Sequence, residues 1–168
     1  IRKSKERNTE EDVFFEGIKI TYEAVLAFID RLQAIATTQK IKSALASLRH
    51  GAPKSFYEAL LLSYLYFMIS EHIDNLQVRS LSGFDTCFYP FYKYDIERGI
   101  LEEEIRRDLA YYFLQFTAIG NYWNQPVYLG GENADGTSVI NELSYLFLDV
   151  YDEMNIYNPK IQIKVCDS

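Results

Sequence analysis

The residues of this chain that could do chemistry concentrate between positions 75 and 87. Asn75, Gln77, Arg79, Ser80 and Ser82 set polar groups between two apolar runs, where a buried loop would need hydrogen-bond partners. An arginine in such a stretch suits a carboxylate, because the guanidinium presents a planar pair of donors. The structural alternative is that Arg79 pairs with a nearby acid such as Asp85. Cys87, between Thr86 and Phe88, has no base or metal partner nearby in sequence and reads as a core residue. His50 stands at a helix end, where it can cap carbonyls, and His72 lacks a second ligand four residues on. Glu132-Asn-Ala-Asp135-Gly lacks the alternating oxygens and closing glutamate of a calcium loop, so no metal site is predicted.

These residues need elements to position them. Helical spacing runs from Asp12 to about Ile35 through Phe15, Ile18, Tyr22, Val25, Leu26 and Ile29, and a second helix from Gln39 to Arg49 ends at His50-Gly51. Ser55 with Glu58 three residues on is a capping-box pattern, opening a helix to about Glu71 that is apolar almost all round. Residues 73 to 92 read as irregular. Glu102-Glu-Glu104 suits the positive start of a helix reaching about Ile119, with Leu101, Ile105, Leu109, Tyr112, Phe113 and Phe116 as its inner stripe.

The last third carries a strand, turn, helix and strand. Pro126-Val-Tyr-Leu129 is short and apolar, Asp135-Gly136 is turn chemistry, and Thr137 or Ser138 is the expected helix cap. Val139, Ile140, Leu143, Leu146, Phe147 and Val150 follow at helical spacing; then Ile161, Ile163 and Val165 alternate with Gln162 and Lys164. That order is a βαβ unit, which favours a parallel strand pair under its helix. The fold class is therefore α/β, a mostly helical segment with one βαβ unit, read as a single partial domain over 1–168 without an internal boundary.

Composition narrows the function classes. With 48% hydrophobic and 24% charged residues the chain has a real core and is not a disordered tail. A net charge of −7 without a basic stripe argues against nucleic acid or an anionic membrane as partner. Two cysteines without paired spacing suit a reducing, cytoplasmic compartment. The apolar run from Ala59 to Ile69 is too short to span a bilayer, and the start at Ile1 has no signal-peptide character. Beginning on Ile and stopping on Cys166-Asp-Ser168, the chain reads as a piece of a larger protein.

Three blocks carry a resemblance, in order: Pro53-Lys-Ser-Phe-Tyr-Glu-Ala-Leu60; Phe84-Asp85 with Tyr89-Pro-Phe-Tyr92 and Asp95-Ile-Glu-Arg-Gly99; and Gly130-Gly131, Asp135-Gly136, Asn141-Glu-Leu-Ser-Tyr-Leu-Phe-Leu with Asn158-Pro-Lys-Ile. Together they resemble the pyruvate formate-lyase-like glycyl radical enzymes over roughly residues 50 to 165. The resemblance implies a ten-stranded barrel wrapped in helices and radical chemistry. An S-adenosylmethionine/iron–sulfur activase installs a glycyl radical, and a cysteine thiyl takes a hydrogen atom from a small-molecule substrate. Neither the cysteine loop nor the radical-glycine motif of that family occurs in these residues, so the resemblance implies no catalytic residue here and no cofactor bound by this segment. Cys166 ends a strand that would point into the barrel, but Val165 and Asp167 do not match the cysteine-loop pattern.

In dehydratase-like relatives, the stretch matching Asn75 to Asp85 lies at the substrate pocket. Asn75, Phe84 and Asp85 are kept here, whereas Gln77-Val78 replaces a His-Ser pair and Gly83 stands in place of an arginine. The resemblance therefore implies Asn75, Gln77, Arg79 and Asp85 as substrate-binding candidates. It does not extend to glycerol- or choline-type hydroxyl recognition. The parent would be an anaerobic, cytoplasmic lyase, dehydratase, decarboxylase or formate acetyltransferase-like acyltransferase. Its partners would be the remainder of the same enzyme and the radical-activating enzyme, with a homodimer open and neither nucleic acid nor membrane involved. The alternatives are a non-catalytic remnant and an autonomous helical binding domain.

Overall fold

The computed structural model describes residues 9–74, 80–118 and 126–165. In chain order they form α1 (Thr9–Ile35), α2 (Gln39–His50), α3 (Phe56–Asp74), α4 (Phe84–Glu97), α5 (Glu102–Ala118), β1 (Val127–Gly130), α6 (Glu142–Met154) and β2 (Ile161–Lys164). Contacts divide the chain into two compact units, Ile1–Ala52 and Pro53–Ser168, where the sequence reading places no internal boundary.

In the first unit α1 packs on α2, whose cap Thr38 accepts from the Ile41 N–H at 3.3 Å. Arg49 Nε reaches both carboxylate oxygens of Asp30, at 3.0 and 3.1 Å. Ile29 is buried and Ile18, Val25 and Leu26 are half-buried, whereas Phe15 and Tyr22, expected on the same inner stripe, are exposed. Length explains the difference, since a 12-residue helix can cover less than half of a 27-residue one.

The second unit is built around one aromatic core, to which α3, α4, α5, α6 and β1 all contribute. Phe84 stacks on Phe88 at 4.4 Å between centroids, and Phe147 meets Phe84 and Phe113 edge-on at 4.9 and 4.7 Å. The start of α3 follows its sequence signature. Ser55 Oγ accepts from the Glu58 N–H at 3.2 Å, and Glu58 Oε2 accepts from the Lys54 N–H at 2.7 Å. A long-range bond completes it, because buried Asp95 Oδ2 accepts from the Phe56 N–H at 2.8 Å. One orphan donor of a helix start is thus satisfied by a residue of another helix. Of the expected all-round burial of α3, Leu62 and Tyr66 are exceptions and lie exposed.

Three expectations need correction. Of residues 73 to 92, expected to be irregular, 73 and 74 belong to α3 and 84 to 92 to α4, which turns Phe84, Phe88 and Tyr92 inward at four-residue steps despite an internal Pro90. Pro90 and Thr86, whose carbonyl it cannot bond, are both exposed, which is where a missing helix bond costs least. The helix of the βαβ unit starts at Glu142 behind the cap Asn141, not behind Thr137 or Ser138, so Val139 and Ile140 precede it. Leu101 lies one residue before α5 and is 71% exposed, outside the stripe formed by Ile105, Leu109, Tyr112, Phe113 and Phe116.

The βαβ unit itself forms as its spacing predicts. β1 and β2 run parallel with Val127 opposite Ile161 and Gly130 opposite Lys164. On the other edge of β1, Leu81 adds a single parallel bridge, donating to Pro126 O at 2.9 Å and accepting from the Tyr128 N–H at 3.0 Å. Val127 and Leu129 are buried, while Ile163 in β2 remains 54% exposed. Among the described residues β2 has a strand neighbour on one side only.

Candidate functional site

Where β1 and β2 end lies an open cleft of about 650 Å³, lined by Gly83, Thr86 and Cys87 of the α4 start, by Gly130 to Asn133 and Val139, and by Lys164 and Val165. Parallel α/β sheets characteristically receive ligands outside the carboxyl ends of their strands, and the cleft occupies that position.

One wall is a small hairpin. Gly130 leaves β1 at φ 71°, and an added Cβ would stand 2.9 Å from the Lys164 carbonyl oxygen, so glycine is needed for both reasons. The Val139 N–H donates to Gly131 O at 3.0 Å and the Asn133 N–H to Thr137 O at 2.8 Å, closing the loop. At its tip Asp135 Oδ1 accepts from the Thr137 hydroxyl at 2.7 Å and its N–H at 3.0 Å. The Thr137 hydroxyl, then its N–H, hold the Asp135 carboxyl below the ordinary aspartate range. The loop ends at Asn141, whose Oδ1 accepts from the N–H groups of Leu143 and Ser144 at 3.0 and 3.3 Å. Ser144 Oγ returns the bond to the Asn141 N–H at 3.0 Å, a capping box with Asn and Ser in its two roles.

The opposite wall is the first turn of α4. Gly83 caps it in the left-handed region, and the Cys87 N–H donates to Gly83 O at 2.8 Å. Cys87 is exposed and lines the cleft, which corrects its reading as a core residue. The reason is rotational: with Phe88 turned inward, the preceding position lies about 100° around the helix. Lys164 brings the cleft a cation and also sits 5.7 Å over the Tyr128 ring, while Glu132 brings an anion. Such a lining can orient a small polar molecule by charge and hydrogen bonds. Among the described residues no group of three or more His, Cys, Asp or Glu is placed to hold a metal, and no helix is long and apolar enough to cross a membrane.

Of the candidates named from sequence, Asn75, Gln77, Arg79 and Cys166 lie outside the described residues. Leu81, two positions after Arg79, is held on the edge of β1. Asp85 is fully buried. Its Oδ2 accepts from the Gly130 N–H and from Ser144 Oγ, both at 2.7 Å, and its carbonyl accepts from Asn141 Nδ2 at 3.0 Å. Its part in any pocket is therefore played through the backbone it holds. Thr86, Cys87, Glu132, Asn133 and Lys164 line the cleft without having been singled out as pocket residues. The helical spacing of Phe84, Phe88 and Tyr92 is the signal that could have found the first two.

Comparison with known proteins places this arrangement. The family model described as pyruvate formate lyase-like matches residues 1–168. The 4-hydroxyphenylacetate decarboxylase glycyl radical subunit of Clostridioides difficile is 32% identical over 120 residues, covering 62% of this chain and 13% of that protein. The isethionate sulfite-lyase of Oleidesulfovibrio alaskensis is 26% identical over 188 aligned positions, covering 94% of this chain and 23% of that protein. The chain thus spans less than a quarter of the length of either curated relative. The crystal structure of a glycyl radical enzyme from Archaeoglobus fulgidus superposes with a TM-score of 0.71 at 23% identity, over 93% of this chain and 25% of that one, a likeness of fold. Carried by a match along its whole length, this chain belongs to the pyruvate formate lyase-like family, among relatives that are glycyl radical enzymes.

Proposed function

We propose that this chain is a wall-forming segment of a glycyl radical enzyme, a lyase, dehydratase, decarboxylase or acyltransferase acting on a small polar substrate. The observation that carries the reading is the family match along residues 1–168. The parallel pair β1–β2 with a cleft at its carboxyl ends supports it, as two strands of the ten-stranded barrel would be placed so. A glycyl radical and a cysteine, both from outside this segment, would supply hydrogen-atom abstraction from the substrate, the radical being installed by an S-adenosylmethionine/iron–sulfur activase. The segment's own residues bind and orient. Asn75, Gln77 and Arg79 contribute substrate contacts, and Asp85 acts through the Gly130 and Thr86 backbone that it holds. Arg79 favours substrates bearing a carboxylate, through paired charge-assisted hydrogen bonds. By itself the segment is inactive.

The test is anaerobic reconstitution of the complete protein carrying this segment with its activase. Electron paramagnetic resonance should show a glycyl radical, and Arg79→Ala should raise KM for carboxylate substrates roughly 10- to 100-fold, a typical loss for a charge-assisted pair. Absence of the radical alongside a demonstrably active activase would overturn the reading in favour of a non-catalytic remnant.

A further inference from the structure

We propose that Asp85 is the positioning residue of the cleft, acting as an acceptor-only clamp between its two walls. Oδ2 takes the Gly130 N–H and the Ser144 hydroxyl, each at 2.7 Å, and Oδ1 takes the Thr86 N–H at 3.1 Å. Each donor belongs to a different element: Gly130 ends β1, Ser144 completes the capping box of α6, and Thr86 lies in the first turn of α4. Gly130 and Thr86 themselves line the cleft. Three donors converging on one buried side chain call for a group with acceptors alone, which among the short side chains is the carboxylate. Its charge is tolerable in the interior because two helix N-termini, those of α4 and α6, present their positive ends to it.

Asp85 has no exposed surface, so it touches no substrate and works by fixing the backbone that does. Removing the carboxylate would release Gly130, a residue already held at φ 71° against the Lys164 carbonyl, together with the first turn of α4. Asparagine is an informative substitute. Its one oxygen can take the place of Oδ2 and keep both 2.7 Å bonds, while its NH₂ would face the Thr86 N–H. A role through geometry therefore survives Asp85→Asn largely intact, and a role through charge does not.

The catalytic half of this inference rests on the proposed radical function; the positioning half does not, and the experiment separates them. In the complete protein, Asp85→Asn, Asp85→Ala and Ser144→Ala are compared by hydrogen exchange at the Gly130 amide and by kcat and KM of the activated enzyme. Asp85→Ala should speed Gly130 exchange at least roughly tenfold and lower kcat/KM by about 10- to 100-fold. Asp85→Asn should restore both to within about threefold of the parent, with an unchanged pH profile. Should the alanine variant fail to fold, Ser144→Ala, which removes one clamp bond and keeps the carboxylate, should still speed Gly130 exchange. Equal losses for Asn and Ala with unaltered exchange would overturn the inference and make the carboxylate a charge felt by the substrate. If the parent protein shows no turnover at all, the radical reading fails and the exchange measurement alone decides on the clamp.

Discussion

Replacing Gly130 by alanine tests the geometry on which the cleft depends. Two costs add. At φ 71° an L side chain is held in the left-handed region, about 1–2 kcal/mol. The new Cβ would also stand 2.9 Å from Lys164 O, which is backbone, and Lys164 is the β2 partner of Gly130 in the parallel register. Relieving that contact means parting the strands at their carboxyl ends, with loss of about one backbone hydrogen bond, about 1 kcal/mol net. Together the loss should be about 2–3 kcal/mol. Gly136 is the internal control, because it has a similar φ of 82° yet nothing lies within 4 Å of a Cβ placed there. Gly136→Ala should therefore cost only the conformational part, about 1–2 kcal/mol. Urea unfolding of the chain and its two variants, followed by far-ultraviolet circular dichroism, reads the difference. Equal destabilisation at the two positions would refute the close approach of β1 and β2 at Gly130 and with it the account of the hairpin wall of the cleft.

Phe147→Ala removes a fully buried ring that meets Phe84 and Phe113 edge-on, and should destabilise the chain by about 3–5 kcal/mol in the same unfolding measurement. The chain should lose stability at both pH extremes, read as a falling unfolding midpoint. Asp135 and Glu142 titrate below their ordinary values, Asp135 held chiefly by the Thr137 hydroxyl and Glu142 by its own backbone N–H. Lowered folded values mean stabilisation that is present above the ordinary carboxylate range and lost as the pH falls through the folded values. Tyr112 lies the other way, raised from an ordinary 10.0 by burial, so its contribution holds below pH 10.0 and is lost as the pH climbs beyond it. Tyr112→Phe should remove the Tyr112 part of that alkaline loss while leaving the acid side unchanged.

Local signals in the chain were legible where one residue's chemistry sufficed. The Ser55–Glu58 cap, the Gln39 helix start, the acidic opening of α5 and the parallel βαβ pair all follow from nearest-neighbour spacing. α4 was hidden because Pro90 and a run of aromatic residues look like punctuation, and because its helical period has meaning only once Phe84, Phe88 and Tyr92 have a core to face. The α6 cap, Asn141, lies three to four residues beyond the expected Ser138 or Thr137 for a related reason. Thr137 and Ser138 are good caps by type, but Thr137 is already engaged with Asp135 in the hairpin.

Family membership, the absence of that family's cysteine and glycine loops from these residues, and the polar run from Asn75 to Arg79 belong to the sequence by itself. Tertiary structure alone decided the fate of Asp85 and Cys87. A carboxylate in sequence carries no mark of whether it will meet a substrate or three backbone and hydroxyl donors. That depends on Gly130 and Ser144, which lie 45 and 59 residues away and reach Asp85 only when β1 and α6 pack on α4. A thiol likewise carries no mark of its direction until the inward turn of Phe88 has fixed the rotation of its helix. Residue types are local and pairings across the fold are not, which is why the cleft emerged from packing.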